Sequence, residues 1–256
     1  MAYKQLKLWF DKDLAILLAD KITHIKPTFP KKKFVQSVDQ EVDTLELKDR
    51  VAIIAQSLEV SLADTYENNI EVLLQILGPE NTEETGMFTN YYWVMPIAKY
   101  IETDGLNHFD ISMNAIKEIT KRNTGEYTIR PYLEQYPKKT LKVMRKWAKD
   151  KNKHVRRLAC EGVRPRLPWA TKLDQFIKDP KPILPILNTL KDDTSKYVQK
   201  SVANCLNDIL KDNLDVGKAV VESWIPNATK ERKWIIKHGL RNLLKKSDTW
   251  AERMIE

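Results

Sequence analysis

Glycine is scarce in this chain of 256 residues, with 7 in all, about 3% where roughly 7% is usual. These seven assemble no GxGxxG, GxxxxGK or GxSxG pattern, so Rossmann, P-loop and nucleophile-elbow chemistry are excluded. Cysteine occurs twice. Cys160 and Cys205 lie within helical patterns, far from any CxxC or Cys/His cluster, which argues against a disulfide framework or a zinc site. No metal and no cofactor is expected. No apolar run approaches the roughly 18–20 residues of a membrane helix, and the opening MAYKQLKLWFDKD lacks the charged-then-apolar order of a signal peptide. The expectation is a soluble cytoplasmic protein with no membrane partner. Strand alternation is nowhere sustained.

What the chain does have is cationic charge, unevenly placed. Its 43 Lys+Arg against 35 Asp+Glu give a net charge of +8. Residues 1–80 hold 10 basic and 13 acidic side chains, residues 81–137 hold 5 and 8, and residues 138–256 hold 28 and 14. An excess of +14 in one contiguous half presents a directional field, the footprint of a polyanion-binding surface. With 42% hydrophobic residues a sizeable core is available, and wholesale disorder is excluded.

The periodicity is helical nearly throughout. Apolar residues recur at i, i+3, i+4 and i+7, as in Leu6, Trp9 and Phe10, then Leu14, Leu17 and Leu18. The runs LELKDRVAIIAQSLEV, NNIEVLLQIL, TLKVMRKWAKD and SVANCLNDILKD repeat that pattern. Asp and Asn precede several of them as candidate N-caps, and the prolines fall mainly between helices, in THIKPTFP, RPRLPW and KDPKPILP. The C-terminal half also resembles itself: 147–162, 190–206 and 229–244 can be superimposed. His154, Tyr197 and Trp234 then align, 43 and 37 residues apart, as do Val155, Val198 and Ile235, and the cations Arg157, Lys200 and Lys237. This period resembles HEAT repeats, whose stacked helical pairs curve around a concave face. If each second helix lines that face, the three cations form a ladder along it. The expected fold is an all-α HEAT-like solenoid in a single domain, with residues 1–90 as an N-terminal helical scaffold and 91–256 as repeats with a basic concave groove.

One constellation is equipped for chemistry. In HVRRLACEGVRPRLPW, residues Val155, Leu158, Ala159 and Gly162 keep one helix face apolar, while Arg157, Glu161 and Arg164 follow at i, i+4 and i+7 on another. Pro165 discourages further helix and Pro168 can open the next one, so that Arg166, Leu167 and Trp169 sit on a short, stiff connection. Lys200, Asn204 and Asp208 follow at spacings of four, which lets a second carboxylate approach the same groove. In TGEYTIRPYLEQYP, Glu126 follows Gly125 in a turn, and Ile129 to Tyr136 can be helical. Taken singly each feature also has a bland reading: helix-surface ion pairs of about 0.3–0.5 kcal/mol for Glu161, solvation for Asp208, core packing for Trp169. The aromatic run Tyr91, Tyr92 and Trp93 is better read as core than as part of a site.

Taken together, HVRRLACEGVRPRLPWA, GEYTIRPYLEQYP, LELKDRVAIIAQSL and SVANCLNDILKD closely resemble the AlkC branch of the AlkC/AlkD family of bacterial DNA alkylation-repair glycosylases. The resemblance implies a helical-repeat solenoid that grips duplex DNA in a basic concave groove and excises cationic N-methylated bases without swinging them into a deep pocket, unlike most base-processing enzymes; a monomer is expected. It matches Glu126 and Glu161 to the family's active-site carboxylates, Trp169 to its active-site aromatic and Asp208 to an acidic groove residue. Arg157, Arg164 and Arg166 fall where the family faces DNA or supports the site, and Lys200 and Lys237 extend the set. Many AlkC proteins continue into an immunoglobulin-like domain; this sequence ends at DTWAERMIE, so that domain's contribution is expected to be absent or replaced.

The residue types suit that reaction. An N3-methylated adenine or cytosine is already cationic and leaves as a neutral base, so no strong general acid is required. Positive charge then moves onto the sugar, as in glycoside hydrolysis. Carboxylates stabilise it and orient or deprotonate water, while the face of a tryptophan attracts a cation. The rival reading is a non-catalytic HEAT-repeat scaffold for nucleic acid or protein. A third, a lysine Schiff-base lyase, has no candidate that stands out.

Overall fold

The computed structural model describes the backbone at 4–85 and 88–256 and the side chains at 4–85 and 90–256. Every regular element among the described residues is helical. The helices divide into two compact units, 1–128 and 129–256.

The first unit holds α1 (Lys12–Ile25), α2 (Lys31–Glu41), α3 (Leu47–Leu62), α4 (Tyr66–Gln75), α5 (Phe88–Tyr91), α6 (Met95–Asp104) and α7 (Phe109–Thr120). Its boundary lies beyond residue 90, where the scaffold was expected to end, because α6 packs on α3 and α7 on α4. The apolar faces of α6 and α7, with Ile97, Ile101, Ile116 and Ile119 fully buried, complete a core begun by the earlier helices. At the N-terminus the apolar period does not give one continuous helix. Leu6–Trp9 is a separate 3-10 turn, and α1 starts afresh after Asp11, whose carboxylate caps the N–H groups of Asp13 and Leu14. The aromatic run at 91–93 packs inside this unit: Tyr92 meets Trp9 and Phe10 edge-on at 5.1 and 5.7 Å, and Trp93 is buried under the Lys21 ammonium.

The second unit holds α8 (Ile129–Gln135), α9 (Pro137–Trp147), α10 (Lys153–Glu161), α11 (Asp174–Lys178), α12 (Leu184–Leu190), α13 (Lys196–Asp212), α14 (Leu214–Trp224), α15 (Lys230–Gly239), α16 (Arg241–Leu244) and α17 (Thr249–Arg253). Here the HEAT-like pairing is explicit. α9 packs on α10, α12 on α13 and α14 on α15, while the second helices α10, α13 and α15 pack on one another in order. The superimposed positions Val155, Val198 and Ile235 are all fully buried in the seams between them. Asn152, Ser195 and Thr229 cap the three second helices. Aspartates of one connection bind the arginines of neighbouring helices, Arg156 to Asp193 at 2.6 and 3.1 Å and Arg232 to Asp192, and so tie repeat to repeat. No helix among the described residues is long and apolar enough to cross a membrane.

Candidate active site

The C-terminal end of α10 carries Glu161, buried with 5% of its surface exposed. One carboxylate oxygen accepts from Arg164 Nη1 at 2.7 Å and lies 3.6 Å from Arg157 Nη2. The other accepts from Ser201 Oγ at 2.6 Å, across the seam from α13. The guanidinium of Arg164 in turn grips Asp208, one helical stretch further along α13, with Nε to Oδ2 at 2.9 Å and Nη2 to Oδ1 at 3.4 Å. The structure thus brings Glu161, Arg164 and Asp208 into one buried cluster. The Arg157 guanidinium covers the Tyr197 ring at 5.0 Å.

Burial raises the cost of every charge in this cluster, and the outcome differs by residue. For Glu161 the desolvation penalty is outweighed by Arg157, Arg164 and the Ser201 hydroxyl, and its carboxyl ionises below the usual glutamate range. For Asp208 desolvation dominates, reinforced by the negative charge of Glu161, and its pKa is raised despite Arg164. Arg164 is itself desolvated, yet the two carboxylates hold it firmly protonated. Behind them, Cys160 and Cys205 are both buried, and a thiol–thiol hydrogen bond together with burial pushes the Cys205 pKa well up, so neither is an exposed reactive thiol.

The connection from Gly162 to Leu173 presents the remaining candidates. α10 ends at Glu161, before Pro165 is reached, so Arg164 lies in the connection and not on the helix face expected for it. Pro168 does not open the next helix: it occupies the second position of a tight turn closed by Ala170 N–H on the Leu167 carbonyl at 3.4 Å, and helix resumes only at Asp174. Trp169 takes the third position with φ of 65°, a left-handed conformation that glycine fills at little cost and a tryptophan does not. Its side chain is 81% exposed, whereas the neighbouring Leu167 is buried. Arg166 is paired bidentately with Asp212 at 2.6 and 2.8 Å.

Arg130, which the residue pattern did not single out, anchors this connection. Buried in α8, it donates to the carbonyls of Gly162 at 3.2 Å, Arg164 at 3.0 Å and Thr171 at 2.9 Å. The only advance signal was an arginine inside an apolar helix start, TIRPYL, where a buried cation requires dedicated acceptors. Ser201 was equally silent, because a small polar residue within a helical run is unremarkable.

Of the ladder, Lys200 and Lys237 are exposed, while Arg157 is turned to Glu161 and Tyr197. Glu126 belongs to the first unit. It sits in the expected turn, buried, with its Oε2 accepting from Thr124 Oγ1 at 3.1 Å while its own N–H donates to that hydroxyl at 3.2 Å. Gly125 lets this turn pass close over α7, since a Cβ there would lie 2.8 Å from Ile116 Cγ2 and 2.9 Å from Thr120 Oγ1. Among the described residues no group of His, Cys, Asp and Glu is placed to hold a metal ion.

Comparison with known proteins identifies relatives of the whole chain. A structure described as Pseudomonas fluorescens alkylpurine DNA glycosylase AlkC bound to DNA containing an abasic site analog superimposes with a TM-score of 0.90, at 33% identity, over 99% of this chain and 69% of that one. The uncharacterized protein YhaZ of Bacillus subtilis (strain 168) is 35% identical over 239 residues, which are 92% of this chain but 64% of that protein's length. The model of the DNA alkylation repair enzyme family matches residues 114–243, a span that includes Glu126, Arg130, Glu161, Arg164, Trp169 and Asp208. This chain belongs to the DNA alkylation repair enzyme family.

Proposed function

We propose that the chain is a monofunctional DNA glycosylase that hydrolyses the N-glycosidic bond of cationic N3-methylated bases, 3-methyladenine and 3-methylcytosine, in duplex DNA. It acts as a monomer in the cytoplasm, without extruding the base into a deep pocket. The observation that carries this reading is the buried Glu161–Arg164–Asp208 cluster set in a strongly cationic half of the chain. Two carboxylates balanced by the guanidiniums of Arg157 and Arg164 form a locally neutral spot in a field otherwise suited to phosphates. Its carboxylates favour a ribosyl cation over the intact nucleotide.

In this scheme the bond from base to C1′ breaks with its electron pair passing to the methylated base, which departs neutral. Water adds to C1′ from the other face and gives its proton to a carboxylate. Asp208, whose burial makes it the more basic of the clustered pair, accepts the proton; Glu161, held ionised, balances the developing charge on the sugar. Glu126 is assigned a parallel carboxylate role on the family resemblance alone. The exposed face of Trp169 attracts the cationic base or sugar, worth about 0.5–2 kcal/mol depending on desolvation, and a normal base gains less from it. Arg157, Arg164 and Arg166, already engaged by Glu161, Asp208 and Asp212, shape the site, while Lys200 and Lys237 reach phosphates. Selection then follows charge and lability of the damaged base rather than the shape of a pocket. A binding-only scaffold leaves without a purpose a strained, exposed tryptophan on the connection that follows Glu161.

The test is to incubate the full chain with methylated duplex DNA and identify the free bases. Release of 3-methyladenine and 3-methylcytosine, with no borohydride-trapped protein–DNA adduct, is the expected result; no release of either overturns the reading. Glu161→Gln is expected to cut single-turnover release by about 10²-fold or more with duplex affinity little changed, and equal loss of both would make Glu161 structural.

A further inference from the structure

α13 packs on α15, and three cations along that seam and just beyond it lack a carboxylate in ion-pair contact, Glu231 acting on Lys196 only at longer range. Arg156, Arg164, Arg166 and Arg232 are each paired with an aspartate. Lys196, Lys200 and Arg241 are not. The polar partner of Lys196 is the Gln199 side-chain oxygen at 3.2 Å, that of Arg241 is the His238 carbonyl at 2.8 Å, and among the described residues no carboxylate forms an ion pair with any of the three. Trp234 organises the group. The Lys196 ammonium sits 3.2 Å from its ring centroid, and the His238 imidazole stacks on it at 4.8 Å and 12°.

We propose that Lys196, Lys200, His238 and Arg241 form a binding site for one phosphate group of the DNA backbone. The proposal rests on the reading of this chain as a DNA-binding enzyme. A phosphodiester matches what these side chains offer: a guanidinium fork and ammonium donors for the anionic oxygens, and an imidazole N–H held in place by its stack on Trp234. The charged groups acting on His238 are Lys196 and Lys200 from α13 and Arg241 from α16, with no carboxylate among them. Partial burial first, and then these three cations, keep the imidazole below its ordinary pKa. A bound phosphate cancels that repulsion, and His238 gains a proton and a second donor. The same field reaches the carboxylate cluster, since Arg241 feels burial first, then Arg164, with Asp208 opposing. A phosphate held here lies within the field of the Glu161–Arg164–Asp208 cluster and helps to fix the register of the bound strand.

Two measurements on the full chain test this. Arg241→Gln should weaken binding to undamaged duplex by about tenfold and flatten the slope of log affinity against log salt by about 0.9, the share of one phosphate contact. Arg241→Lys should recover most of the loss, and Lys218→Gln, whose ammonium lies over Trp250, should change neither. In the histidine NMR spectrum of the wild type, with His238→Gln identifying the signal, the His238 pKa should rise when duplex DNA is added and, at higher concentration, with inorganic phosphate. Wild-type affinity in a folded Arg241→Gln, or a His238 signal whose titration duplex DNA leaves unmoved, overturns the proposal; the second arm decides it if Arg241→Gln does not fold. Base release combined with Arg241-independent binding refutes this site alone. Arg241-dependent binding with no base release refutes the catalytic reading alone and leaves the phosphate site standing.

Discussion

Arg164 bridges two buried carboxylates, so its loss breaks the ion pair of Asp208 and leaves Glu161 with Arg157 at 3.6 Å and the Ser201 hydroxyl. Arg164→Gln should cost about 3–5 kcal/mol of stability, as expected when one partner of a buried ion pair is removed, and Arg164→Lys should recover little, because an ammonium cannot replace the fork that spans Glu161 and Asp208. Urea unfolding of both variants measures this. The two carboxylates respond to pH in opposite senses. Glu161 ionises more readily in the folded chain than its ordinary value of 4.5, so its stabilising contribution is present above that value and is lost as pH falls through the folded value. Glu161→Gln should accordingly be less stable than wild type near neutrality, with the gap narrowing in melts below pH 4.5. Asp208 is raised and must be ionised to accept a proton. The acid limb of the single-turnover pH profile should lie above the usual aspartate range and disappear in a slower Asp208→Asn; an unchanged limb would remove Asp208 from the proton path.

At the scale of elements, the decisive piece is the connection between α10 and α11. It is not a helix, yet it is tied down by Arg130 to three of its carbonyls and by Leu173 N–H to the Pro165 carbonyl at 3.1 Å. A clamped backbone holds Trp169 in its left-handed conformation, strain of about 1–3 kcal/mol that persists only where the surroundings over-determine it. Trp169→Gly removes that strain at the cost of a more flexible unfolded chain. It should leave stability within about 1 kcal/mol of wild type and lower base release, and a matched loss of stability would return Trp169 to a packing role. Arg130→Met should speed amide exchange across 162–173 and reduce base release while undamaged-duplex binding persists. Gly162→Ala places a Cβ 2.7 Å from Ile129 Cγ2 and 3.0 Å from Met144 Cε, so overpacking of about 1–3 kcal/mol is expected at the junction where α8 and α9 support the site.

For the whole molecule, the governing quantity is the charge imbalance, +14 over residues 138–256. Affinity for undamaged duplex should fall steeply and linearly on a log–log salt plot, and a flat plot would mean that the cationic half does not meet phosphates. Much of this scale was legible in the linear sequence. Helical period and buried-face residues such as Val155, Val198 and Ile235 follow from local rules repeated three times, because a 3.6-residue period places them on one face wherever the chain goes. The i, i+4 spacing of Arg157 and Glu161 likewise leads to their contact within one helix.

Other features were decided by residues far apart in the chain. The pairing of Arg164 with Asp208 joins positions 44 apart, and Ser201 meets Glu161 across 40; no short-range pattern states which of many cations a given carboxylate will find. The left-handed turn at Trp169 contradicts the local expectation that Pro168 opens a helix, because backbone conformation there answers to Arg130, distant in sequence. The division into compact units after Thr128 follows from which helices α6 and α7 cover. Periodicity and composition therefore determine which elements form and which face is apolar, since those depend on near neighbours; the carboxylate cluster, and the cations left without an ion pair, arise only when packing brings α10, α13 and α15 side by side and settles which charges are partnered.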